Sequence, residues 1–235
     1  MRVVSAGKLS EELASRGIDF RRVRRVLVVT RCTRRKHVDE KGLNSVLNNY
    51  NLPLPGFDIE NEPKYREVLK QFVKPAREMY GGTFTRVMEI VDALRSYGKH
   101  VDVYIISGRY GLISENDEIV PYDAPLNKMN PSEIREWSRK RDVEEKLWNI
   151  IQRGEYDAYT IVLSEKYALA ICEILRFILE KKNAIIITAK SAVDECKNKE
   201  NVKALVLPSS IPGLRQLRSL KLLKEVIYNH HMKKD

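Results

Sequence analysis

Residues 26–36 read Val26-Leu27-Val28-Val29-Thr30-Arg31-Cys32-Thr33-Arg34-Arg35-Lys36. The first four form a continuous apolar run, the mark of a strand buried on both faces, and residues 30–36 carry hydroxyl, thiol and cationic groups. Similar runs recur as VDVYIIS at 101–107, YTIVL at 159–163, AIIIT at 184–188 and ALVL at 204–207. Helical periodicity fills the gaps at 8–16 (closed by Gly17), Lys64–Tyr80, Phe84–Tyr97, Pro131–Gln152, Lys166–Lys181, Ala189–Lys197 and Leu214–His231. Strands alternating with helices predict an α/β fold: a mainly parallel sheet of about five strands, with helices on both faces and helical insertions. Residues 38–62, rich in Asn, Pro and Gly, and residues 108–130 read as long connections, the first as a flap. With no linker, repeat or low-complexity tract, residues 1–235 are expected to form a single α/β domain. Its motif-bearing core spans about 24–175, and a βαβα extension occupies 184–231.

The 235 residues are enough to bury a substantial core, and 43% hydrophobic content excludes disorder as the overall state. No apolar run approaches the ~20 residues that cross a bilayer. The opening Met1-Arg2-Val3-Val4-Ser5 lacks the apolar core of a secretory signal, so a soluble, cytoplasmic protein without a membrane partner is expected. Cys32, Cys172 and Cys196 are odd in number and widely spaced, which implies no disulfide framework. Cys172, between Ile171 and Ile174, reads as core, and Cys196 has no special role. The four histidines (37, 100, 230 and 231) have no metal-ligand spacing, and neither a metal nor another cofactor is expected. Three Gln beside abundant Lys, Glu and Ile lean toward a heat-adapted source.

The formal net charge is +10, and its distribution says more than its size. Arg21, Arg22, Arg24, Arg25, Arg31, Arg34, Arg35 and Lys36 place eight cations within sixteen residues around the first strand. Such clustering exceeds what solubility needs and points to a polyanionic partner, DNA or structured RNA. Leu214, Leu217, Leu220, Leu223 and Ile227 form an apolar stripe on the last helix. Arg215, Arg218, Lys221 and Lys224 line another face, which reads as a packed surface helix or a second phosphate-contacting face. The final 230–235 segment reads as frayed.

Ligands of parallel sheets gather at the carboxyl ends of strands. Here those ends carry Thr30–Lys36, Ser107-Gly108-Arg109-Tyr110-Gly111-Leu112, Ser164-Glu165-Lys166-Tyr167, Lys190-Ser191 and Pro208-Ser209-Ser210. Every end bears a hydroxyl and four bear a cation, a rim suited to phosphate or a nucleotide. Helix capping is the plainer reading of Ser164 and Ser191. Neither a P-loop nor a Gly-x-Gly-x-x-Gly fingerprint is present, which disfavours P-loop hydrolysis of ATP and ordinary dinucleotide binding.

Cys32-Thr33-x-x-Lys36 resembles the Cys-Ser/Thr-x-x-Lys opening of an uncharacterised prokaryotic and phage domain family. Pro75-Ala76-Arg77-Glu78-Met79-Tyr80-Gly81-Gly82-Thr83-Phe84 stands where that family has Pro-Ala-Arg-x-Leu-Tyr-x-Gly-x-x-Phe. Ser107–Leu112 and then Pro121-Tyr122-Asp123 match its Ser-x-x-Tyr-Gly-Leu and Pro-Tyr-Asp elements. More distantly, these elements resemble the YaaA peroxide-stress family, associated with DNA binding and protection from oxidative damage. They are also similar to a domain of archaeosine synthase, which modifies a deazaguanine base in tRNA. Arg31 and Thr33 depart from the Pro and Ser of the latter, and no transglycosylase barrel or PUA domain is recognisable. The resemblances imply action on nucleic acid, either on a base or its glycosidic bond or as non-catalytic DNA protection.

The residues themselves suggest roles. Arg34, Arg35, Lys36, Ser107, Arg109 and Lys166 would hold phosphate or a base edge, and Tyr110 or Tyr122 would stack on a base. Glu115, Asp117, Glu118 and Asp123 lie within nine residues, and Asp123 would act as general base or bind an exocyclic amine. Cys32, beside four cations, would be a nucleophile or redox-sensitive thiol with a lowered pKa. The plain alternatives are core tyrosines, carboxylates paired to arginine, and a Cys32 that serves close packing. A third function remains open: an enzyme acting on a small phosphorylated nucleotide.

Overall fold

The computed structural model describes residues 5–197, 201–208 and 214–232. Its strands are β1 (Arg25–Arg31), β2 (Lys74–Pro75), β3 (His100–Ser107), β4 (Gly111–Ser114), β5 (Glu118–Ile119), β6 (Ala158–Val162), β7 (Ala184–Thr188) and β8 (Leu205–Pro208). The helices are α1 (Ala6–Ser15), α2 (Glu40–Asn49), α3 (Glu62–Val68), α4 (Ala76–Met79), α5 (Thr83–Ser96) and α6 (Pro131–Lys140). They continue with α7 (Val143–Gly154), α8 (Glu165–Leu169), α9 (Cys172–Leu179), α10 (Lys190–Cys196) and α11 (Leu214–Met232).

Six strands form the main sheet in the order β4-β3-β1-β6-β7-β8. The five apolar runs are its parallel members; β1, β6 and β7 are buried on both faces, whereas β3 alternates over its first half and leaves Asp102 and Tyr104 partly exposed. The sixth, β4, lies inside the connection expected at 108–130. It folds back antiparallel on β3, pairing Ser107 with Gly111, and a φ of +77° makes Gly111 suited to that reversal. Helices α1, α5 and α11 pack together as one layer, and α6–α10 form the other.

The expected flap at 38–62 contains a helix. Asp39 caps α2 by accepting from the Lys41 N–H, and Leu43 and Leu47, one turn apart, are buried with Tyr65, Leu69, Phe72 and Val120 in a second small core. Three expected long helices are each broken. Pro75, which has no N–H, enters the short β2–β5 pair; Asp142 turns left-handed at φ 53°; and the chain kinks at Ala170-Ile171. The last helix persists through Met232, because His231 stacks on Tyr97 with ring centroids 3.9 Å apart. Buried Leu220, Leu223, Val226 and Ile227 hold that helix, whereas Leu217 is exposed. Ser209, Ser210 and residues 233–235 lie outside the described residues.

The cysteine reading is overturned: Cys172 and Cys196 form a disulfide. They lie 24 residues apart, yet α9 and α10 pack against each other beside β7 and bring their Cα atoms to 5.1 Å. Sequence spacing carries no sign of that juxtaposition.

Candidate functional site

From β1 the chain runs outward through β3 to β4, then returns across the sheet to β6 and runs outward through β7 and β8. The two halves diverge at the β1–β6 junction, where the carboxyl ends of an open parallel sheet leave a crevice. A cavity of about 590 Å³ occupies that position. Arg31 at the end of β1 and Cys32, Thr33, Arg34 and Lys36 beyond it line the cavity, and the 122–127 loop gives Tyr122, Asp123, Ala124, Pro125 and Asn127. Ser164, Glu165, Lys166 and Tyr167 follow β6, and Ala189, Lys190 and Ser191 follow β7. Five cations thus face two carboxylates. Ser164 makes no capping hydrogen bond and Ser191 lies inside α10, so the expected capping roles are not seen.

The wall between cavity and core is a set of buried hydroxyls. The Tyr122 and Tyr80 hydroxyls lie 2.7 Å apart, and Ser107 Oγ lies 2.7 Å from that of Tyr122. Cys32 Sγ is 3.1 Å from the Tyr167 hydroxyl. Burial first, and the neighbouring Cys32 second, push the Tyr80, Tyr122 and Tyr167 phenols above their ordinary values, so all three keep their protons at physiological pH. Lys36 Nζ donates to the Thr33 carbonyl at 2.7 Å and sits 4.5 Å from the Tyr122 ring centroid. Burial pushes its ammonium below the usual lysine value, while Cys32 and Asp123 act the other way. Arg31 lies over the Tyr167 ring at 5.8 Å, and among the described residues its buried Nε has no hydrogen-bond partner.

The structure therefore brings Cys32, Arg34, Lys36, Tyr122, Asp123 and Lys166 to one cavity. Arg35 is exposed outside it. Ser107 stands behind Tyr122, fully buried. Arg109, read as a phosphate contact, is also fully buried and turns away to pair with Asp58 at 2.9 Å and Glu62 at 3.0 Å. A guanidinium removed from water needs such carboxylates, and the 56–62 segment provides them. Tyr110 donates to Glu62 at 2.9 Å and meets Tyr122 edge-on, so its ring is not offered to a base. Tyr122, 3% exposed and covered by Lys36, offers an edge rather than a stacking face. Among the four clustered carboxylates only Asp123 reaches the cavity. Glu115 is buried between Arg77 and Arg95, and Asp117 accepts from the Ser114 N–H.

The eight-cation cluster also divides. Arg21, Arg22, Arg24 and Arg25 sit at the amino end of β1, roughly 20 Å from Arg31 at a strand rise of ~3.3 Å per residue. Arg21 and Arg25 there pair with Asp19 and Asp102. Tyr167, which lines the cavity, and Tyr80, which stands behind Tyr122, have no individual role in the sequence reading, whereas Lys190 takes the place at the rim expected of it. Tyr80 belongs to the Pro75–Phe84 element, which is the sequence signal that could have found it. Among the described residues no three His, Cys, Asp or Glu cluster to hold a metal ion, and no helix is long and apolar enough to cross a membrane.

No curated protein and no solved structure matches the chain significantly. One family model does, over residues 68–191, a span that holds the Pro75–Phe84, Ser107–Leu112 and Pro121–Asp123 elements and the β6 and β7 rims, but not Cys32–Lys36. That span exceeds half of the chain, and the protein belongs to the DUF6884 family, a family of unknown function.

Proposed function

We propose that the protein acts on nucleic acid, holding one nucleotide unit in the cavity at the carboxyl edge of the sheet. The observation that carries this reading is the convergence of Arg31, Arg34, Lys36, Lys166 and Lys190 around a single cavity at the switch point. A phosphate there would meet several cations and the Ser164 and Ser191 hydroxyls, and the orphaned Arg31 Nε would gain an acceptor. Arg34 and Arg35 at the mouth would extend the contact along a strand. Cys32 and Asp123 are the groups placed to react with or orient a base, which would be unstacked to reach them. The resemblance of the sequence elements to the YaaA family and to archaeosine synthase points in the same direction. A second cavity of about 580 Å³, near β3 and β4, is less suited to an anion, because Asp102 and Asp117 line it and its Arg25 is already paired to Asp102.

One observation favours a second reading, a free phosphorylated nucleotide as ligand. The amino-end cations lie at the opposite sheet edge and add nothing to the cavity. Fluorescence anisotropy with tRNA, duplex DNA and single-stranded DNA across a salt series separates the two. A polymer binder that neutralises four phosphates should show a log–log salt slope of about −3, lessened by Arg34→Ala with Lys166→Ala. Weak, salt-insensitive polymer binding together with thermal stabilisation by a nucleoside monophosphate would favour the free nucleotide. Neither response would overturn both. Should a reaction be found, Asp123→Asn or Cys32→Ser should abolish it while binding persists.

A further inference from the structure

Lys166 and Lys190 are the cavity cations that follow β6 and β7. Each is followed six residues later by a cysteine, Cys172 and Cys196, and these two are joined. The disulfide therefore ties the far ends of the two segments whose near ends form one wall of the cavity. Those segments are short: α8 has 5 residues and α10 has 7, below the length at which a helix holds itself. Among the described residues, the side-chain hydrogen bonds reaching α10 from neighbouring helices are Arg176 to the Cys196 carbonyl and the exposed Arg135 to Glu195. Buried Tyr167, Ala168, Ala192 and Val193 pack the wall in either redox state, so breaking the cross-link should loosen it rather than unfold it.

We infer that the Cys172–Cys196 disulfide is a redox-responsive clamp on the anion-binding wall: oxidised, it fixes Lys166 and Lys190 for the ligand, and reduced, it lets the wall relax and weakens the hold on phosphate. The inference rests on the proposed reading of the cavity. Chemically the step is thiol–disulfide exchange. A dithiol attacks the partly exposed Cys172 sulfur, and the S–S bond breaks with buried Cys196 as leaving group. The second thiol then closes on the mixed disulfide. Two electrons and two protons pass to the protein, which ends as two thiols, while the reductant ends as a disulfide.

The test compares oxidised protein, protein reduced with dithiothreitol, reduced protein reoxidised, and Cys172→Ala. Anisotropy of a 5′-phosphorylated, fluorescein-labelled single-stranded oligonucleotide reads affinity, and amide hydrogen exchange reads the wall. Reduction and Cys172→Ala should each lower affinity about tenfold and accelerate exchange at 164–171 and 189–196. Reoxidation should restore both, which separates loosening from misfolding. Equal affinity in all forms would overturn the clamp. If no form binds the oligonucleotide, the proposed function fails, and exchange then decides the clamp by itself. Acceleration confined to those two segments would support it, and uniform exchange would overturn it.

Discussion

The Tyr80 and Tyr122 hydroxyls lie 2.7 Å apart although 42 residues separate them in the chain. Tyr80 comes from the Pro75–Phe84 element and Tyr122 from Pro121–Asp123, while Ser107 opens the element between them. Lys36, from the first element, lies over both rings. Four stretches that look independent in the sequence are thus one structure, the hydroxyl wall behind the cavity.

Removing the Tyr122 hydroxyl leaves those of Tyr80 and Ser107 buried with one partner fewer. Tyr122→Phe should destabilise the fold by about 2 kcal/mol, the cost of buried polar groups that lose a hydrogen bond. Because the three act together, adding Tyr80→Phe should cost less than its separate effect. Urea denaturation of the single and double variants measures this coupling, and strict additivity would contradict a shared network.

Arg109 has no side-chain exposure and two carboxylate partners. Replacing it with Met removes the buried cation, while Glu62 keeps Arg66 and Tyr110 and Asp58 keeps Asn61 and the Gly56 N–H, so the cost should be about 2–3 kcal/mol, that of lost hydrogen bonds to charged groups. For variant protein that remains folded, the salt slope of nucleic-acid binding should match the parent. A lower slope would instead make Arg109 a phosphate contact.

A Cβ at Gly108 would stand 1.8 Å from the Ala124 carbonyl oxygen, and backbone cannot yield as a flexible side chain does. Gly108→Ala should therefore displace the 122–127 loop that walls the cavity, costing roughly 1–3 kcal/mol as overpacking does. Thermal unfolding reads the stability, and alkylation of Cys32 by iodoacetamide reads the opening. Both should change together.

Asp58 is held below its ordinary value of 3.8. Burial alone would raise it, but hydrogen bonds from Asn61, the Gly56 N–H and Arg109 outweigh that. Its folded value lies below its unfolded one, so its stabilisation is complete above pH 3.8 and is lost as pH falls through the folded value. Unfolding free energies of the parent and Asp58→Asn should differ most at about pH 6 and converge below pH 3.8. A gap that fails to narrow as pH falls below 3.8 would exclude the linkage.

The Cys172–Cys196 bridge closes a loop across 24 residues of sequence separation. Cross-linking a loop of that size restricts the unfolded chain by ~3 kcal/mol. Chemical unfolding with and without dithiothreitol should show a loss of that order. No difference would mean that the bridge contributes little beyond the packing of α9 and α10.

The apolar runs at 26–29, 101–107, 159–163, 184–188 and 204–207 determined by themselves that the sheet is mainly parallel with layers on both faces, because runs so apolar need cover on either side. The rims beyond them were equally legible, since the residues after a parallel strand share one edge. What the chain could not express locally was which strands neighbour one another. Only the order β4-β3-β1-β6-β7-β8 places Lys36, Lys166 and Lys190 around one cavity. Arg109 and the Cys172–Cys196 pair show the same limit. Residue type states what a side chain can do, but a buried ion pair or a disulfide depends on which distant segment packing brings alongside, and packing is a property of the whole chain.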